Sequence, residues 1–145
     1  MEHQKIKAKF REIEHTADVG LIVDGNSLSE LFANAAYGMI YLIFGNQEAK
    51  TKDLRYFQII ENTTDELLIS WLSELNFNII VNNFTPISIR QLDIKKIDGK
   101  YHLNAEISGG SMSVPATEIK AITYHQFYLK KTRHNHYQAR IIFDI

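Results

Sequence analysis

The order of apolar patterns along the chain predicts an α+β fold, with two amphipathic helices packed on a mainly antiparallel β-sheet system. Three observations predict it. Two stretches carry apolar residues at helical spacing, each opened by a capping box. From Ile87 onward the pattern reads as strand after strand. The connections between those strands are too short for crossovers, so neighbouring strands should run antiparallel.

Taken in order, Phe10 to His15 and Val19 to Val23 read as strands, closed by the turn Asp24-Gly25-Asn26. Ser27-Leu28-Ser29-Glu30 is the first capping box: hydroxyl and carboxylate can each take a free backbone N–H of the first turn. Leu28, Leu31, Phe32, Ala35, Met39, Leu42 and Ile43 then mark one helical face, so Ser27 to about Phe44 is a helix, stopped by Gly45-Asn46. Leu54 to Ile60 is rich in strand formers. Thr63-Thr64-Asp65-Glu66 opens a second helix, whose stripe of Leu68, Trp71, Leu72, Leu75 and Ile79 suits a core better than a partner. Asp98-Gly99 between Ile89–Ile97 and Tyr101–Ile107 signals a hairpin through a type I′ turn. Ser108 to Thr117, with Gly109-Gly110 and Pro115, reads as a loop. Ile119 to Lys130 and Tyr137 to Phe143 close the fold, joined by the polar turn Thr132-Arg133-His134-Asn135.

Composition narrows the function. The 145 residues are 45% hydrophobic and 23% charged, which fits a single domain spanning 1–145 that buries its own core. No cysteine is present, which excludes disulfides, thiolate metal sites and cysteine nucleophiles. The formal net charge of -1 gives no broad electrostatic footprint for nucleic acid. No apolar run is long enough to span a bilayer and the first ten residues lack a signal-peptide core, so a cytoplasmic protein without membrane contact is expected.

The common nucleotide and hydrolase motifs (P-loop, G-x-G-x-x-G, G-x-S-x-G, H-E-x-x-H) are absent. Three features remain. His15-Thr16-Ala17-Asp18 places polar groups at the mouth of an apolar strand. Lys120 interrupts the strand-like run Ile119 to His125. Asp144 and Ile145 end an apolar strand that should stay docked. Each has an ordinary explanation: Asp18 as a turn residue, Lys120 as an edge gatekeeper, Asp144 as a solvated end. Together, carboxylates at a strand mouth and at a docked strand end suit a hard cation, and oxygen-only ligands favour calcium, magnesium or manganese. The histidines form no metal cluster. His134 and His136 lie in a turn facing solvent, and Lys120 and His125 share a face only if a bulge intervenes.

These segments also carry a likeness. His15 to Gly20, Leu28-x-x-Leu31-Phe32-x-x-Ala35-Ala36, Leu67-Leu68-x-x-Trp71-Leu72-x-Glu74-Leu75, Ile119 to His125 and the final Phe143-Asp144-Ile145 resemble, in order, the archease family. The resemblance implies an accessory factor for RtcB-type RNA ligases of tRNA splicing and RNA repair, one that promotes ligase guanylylation and turnover and is not itself an enzyme. It implies a metal site at Asp18, Asp144 and the main-chain oxygen of Ile145. It also implies a nucleotide- or ligase-contacting role for Lys120, with His15 beside it. GTP would be used by the partner ligase, and RNA would be met only through that ligase. The chain departs from the family at Ser108 to Ser113, where archeases commonly carry a Gly-Glu pair and a longer charged loop. The alternative from another class is a metal-dependent phosphohydrolase or nucleotide-binding enzyme using Asp18 and Asp144 directly.

Overall fold

The computed structural model describes residues 10–14, 18–46, 50, 53–111 and 114–145. Seven strands and two helices follow the order β1 (Phe10–Glu14), β2 (Asp18–Gly25), α1 (Leu28–Phe44), β3 (Asp53–Glu61), α2 (Thr64–Val81), β4 (Thr85–Ile97), β5 (Lys100–Gly110), β6 (Ala121–Lys131) and β7 (Tyr137–Asp144). They form two sheets, β1-β2-β7-β6 and β3-β5-β4, and every strand pair is antiparallel. Both helices touch both sheets: α1 packs on β1, β2, β7 and β4, and α2 on β6, β3 and β5.

The helices begin where the capping boxes put them. Ser27 Oγ accepts the Glu30 N–H at 3.0 Å, and Thr63 Oγ1 accepts that of Glu66 at 3.1 Å. The return arms differ from expectation: the Glu30 carboxylate takes the N–H of Asn26, one residue before the cap, and Glu66 takes the Thr63 hydroxyl. Gly45 ends α1 with φ 67°, its N–H on the Tyr41 carbonyl. The predicted stripes are buried except for Leu28 and Leu42, which are partly buried, and Trp71 is fully enclosed. Its indole N–H donates to the Phe32 carbonyl at 3.0 Å, and Phe57 meets its ring edge-on. The core therefore satisfies the one polar atom that so large a side chain brings.

Several boundaries move. Asp24 and Gly25 continue β2 and are not a turn. The supposed loop from Ser108 begins three residues later: Ser108 and Gly109 pair with Leu54 and Asp53 of β3, and Gly110 pairs with Thr85 of β4. Gly109 is there because the space is taken, since a Cβ would meet the Thr85 carbonyl and, at 2.8 Å, the Phe84 ring. Loop-like composition had a packing cause. The final pair of strands is joined by a tight turn with His134 and Asn135 at φ 56° and 60°, and the Asp98-Gly99 turn has φ 52° and 80°. Both are the positive values a type I′ turn requires.

β6 starts at Ala121 and is broken by a bulge. Thr123 pairs with Ile142 and Tyr128 with Arg140, so four residues of β6 face the single Ile141 of β7. Gln126 takes φ 55° inside it. The bulge on which a common face for Lys120 and His125 depended is therefore present, with His125 exposed within it.

Candidate metal centre at a strand junction

Strand alternation decides which way the candidate residues point. Along β2 and β7, Leu21, Val23, Ala139, Ile141 and Phe143 are buried against the helices. Asp18 and Asp144 have the opposite parity and project from the outer face. They are direct register partners, the first residue of β2 against the last of β7. Such partners hold their Cβ atoms roughly 4.5–5.5 Å apart. Two residues far apart in sequence thus form one acidic pair at the end of a sheet. Two positions along, Gly20 keeps this face close: a Cβ there would meet Ile142 Cδ1 at 2.8 Å.

The third segment arrives through the backbone. The Lys120 N–H donates to the Asp144 carbonyl at 2.7 Å, and Ala121 pairs with Asp144 in the sheet. Lys120 itself is exposed. It does not interrupt the strand, as its surroundings suggested, but stands just before it. Ile145 follows Asp144 with the opposite parity and lines a cleft of about 250 Å³ with Glu12, Val19, Tyr41, Thr117 and Ile119. The end of β7 is held by its strand pairing, with Asp144 outward and Ile145 at the cleft, still 38% exposed.

A buried amide holds this junction in place. Asn76, on the apolar side of α2, donates from Nδ2 to the Ile119 carbonyl at 2.8 Å, one residue before Lys120. The chain before it is tied to the end of α1, where the N–H groups of Ala116 and Thr117 reach the Ile43 carbonyl at 2.7 and 3.2 Å. The reading of the sequence missed Asn76. The available signal was its position between Leu72, Leu75 and Ile79, since a polar residue inside an apolar stripe needs a buried partner.

The donor chemistry fits a hard cation. Asp18, Asp144 and the main-chain oxygen of Ile145 offer oxygen only, as calcium, magnesium and manganese prefer. Two carboxylates directly opposite each other in a ladder repel, and a shared cation removes that cost. Among the described residues no three His, Asp or Glu side chains group as metal ligands, so a site here needs the main-chain oxygen. His15 lies outside the described residues. His134 is exposed, but His136 does not simply face solvent. Its Nε2 is 3.0 Å from Asp24 Oδ1, which also accepts from Gln138 Nε2 at 3.0 Å. That network occupies the far end of β2 and β7.

The architecture and this strand-end junction define a small α+β protein whose sheet closure sets carboxylates of distant segments opposite each other. The chain matches the Archease protein family (MTH1598/TM1083) over residues 10–145, and it belongs to that family. It is 33% identical over 141 residues to the protein archease of Methanosarcina acetivorans, covering 94% of this chain and 96% of the relative. With that of Saccharolobus islandicus it shares 35% over 141 residues, covering 94% and 98%. The solution structure of protein 1598 of Methanobacterium thermoautotrophicum superposes with a TM-score of 0.79 at 26% identity, covering 94% of this chain and 98% of that one. A crystal structure described as an archease, possible chaperone, from Thermotoga maritima shares the fold, with a TM-score of 0.65 at 22% identity, covering 99% and 100%.

Proposed function

We propose that this protein is an accessory factor that activates an RtcB-type RNA ligase, promoting its guanylylation and its return to the active form between turnovers. The observation that carries the reading is the convergence of the backbones of Asp18, Lys120 and Asp144 at one sheet end, from three of the five segments on which the resemblance to archeases rests. The role is cooperative and not catalytic, as the resemblance to archeases implies. Asp18, Asp144 and the Ile145 main-chain oxygen would hold a divalent cation. When bound, that cation supplies positive charge for phosphate oxygens. Lys120 is exposed and its backbone is tethered to Asp144, and its ammonium would meet a nucleotide phosphate or a carboxylate of the ligase.

The test is multiple-turnover RNA ligation with an RtcB-type ligase, GTP and a divalent cation, with and without this protein. The expected result is many products per ligase in its presence and about one in its absence. Unchanged turnover overturns the proposal. GTP or ATP hydrolysis by the isolated protein that is lost in Asp18→Ala favours the hydrolase alternative. Full activation by Asp18→Ala and Lys120→Ala favours an interaction or chaperone module in which these groups are structural.

A further inference from the structure

Among the described residues four strands have a free edge: β1 and β6 in one sheet, β3 and β4 in the other. A free edge presents unpaired N–H and C=O groups to any extended chain, and proteins blunt such edges with short strands, bulges, proline or lysine. β1 is described over five residues. β4 carries Pro86, Lys95 and Lys96 and two register shifts. β6 has the bulge described above and ends in Lys130 and Lys131. β3 is less protected, its only charges being Asp53, Arg55 and Glu61. It runs nine residues, Asp53–Glu61, in unbroken register with β5, without proline or lysine.

The flank of that edge is shaped. A groove of about 620 Å³ lies between β3 and α2, lined by Tyr56, Ile60 and Glu61 of the strand and by Glu74, Phe77 and Asn78 of the helix. The three helix residues fall at i, i+3 and i+4 and so share one face. Tyr56 is 73% exposed, Phe77 52% and Ile60 47%, large apolar surfaces left open among the described residues. Both charged side chains in the lining, Glu61 and Glu74, are carboxylates. The acidic character continues past the groove: the Tyr124 hydroxyl is held above its ordinary range by burial first, then by Glu66, Glu61 and Asp65.

We propose that β3 and α2 form a docking groove for an extended segment of a partner protein, added as a fourth strand to β3 and carrying basic residues among apolar ones. Strand addition supplies main-chain hydrogen bonds, and pockets for alternate side chains supply specificity. Side chains on one face of the added strand would meet Phe77 and Glu74, and those on the other would lie beside Tyr56 and Ile60. A lysine or arginine at the α2 side answers the carboxylates. A second copy of this chain is the poorer occupant, because it brings its own Glu61 and Glu74 to meet the first pair.

The experiment titrates the full chain, labelled with ¹⁵N, with two blocked eight-residue peptides, one alternating valine with lysine and one valine with glutamate. The lysine peptide should give saturable amide shifts in residues 54–61 and 74–78, and the glutamate peptide should bind roughly tenfold more weakly or not at all. Glu74→Lys, a change at an exposed position, should narrow or reverse that preference. Absence of saturable shifts, shifts centred elsewhere, equal binding of both peptides, or self-association through β3 each overturn the proposal.

Discussion

Asp18 and Asp144 occupy ladder positions where like charges cost stability, so each predicts its own mutant. Asp18→Asn removes one charge at nearly constant shape. The rise in Tm on adding calcium or manganese should therefore shrink. Lys120→Ala alters an exposed side chain whose backbone tether is unaffected. It should change stability by less than about 0.5 kcal/mol yet stimulate the ligase poorly, and it should keep the metal response. Asn76→Ala acts from inside, leaving the Ile119 carbonyl without its donor. A loss of about 1–3 kcal/mol is expected in urea unfolding, with ligase stimulation reduced although Asn76 touches neither carboxylate. At this scale the sequence marked the charged residues, because a charge beside an apolar run stands out. It did not mark Asn76 as the anchor or His136 as the partner of Asp24, because both depend on contacts across the fold.

Turns and caps were legible because their chemistry is local. Asp98-Gly99, Ser27 with Glu30, and Gly45 each do what their residue types require of neighbouring backbone. Strand ends were not legible where packing overrode composition. Ser108-Gly109-Gly110 looks like a loop and forms the end of β5, since Gly109 must pass under Thr85 and Phe84. Gly109→Ala should therefore cost roughly 1–3 kcal/mol as an overpacking change, seen as a lower urea midpoint with an unchanged slope. A midpoint equal to wild type would mean that β4 is free to move aside. The division into two sheets was equally out of reach, because hairpin signals give neighbours in sequence and not the pairing of β2 with β7.

That long-range pairing matters most for the whole molecule. The order of the segments alone leaves Asp18 and Asp144 at opposite ends of the chain, and only the closure of β2 on β7 makes them partners. Membership of the archease family and the similarity to solved archease structures fit this arrangement, and no helix among the described residues is long and apolar enough to cross a membrane. A cation held at the closure stabilises the folded state by mass action, about 2.7 kcal/mol at a hundred times its Kd. For a chain of this size that is a rise in Tm of roughly 5–10 °C, reversed by EDTA. Unfolding scans alone leave open where the ion sits. Anomalous diffraction from crystals soaked in manganese locates it: the account predicts a peak bridging the Asp18 and Asp144 carboxylates beside the Ile145 main-chain oxygen. No peak at that junction, or manganese found only elsewhere on the protein, would contradict it.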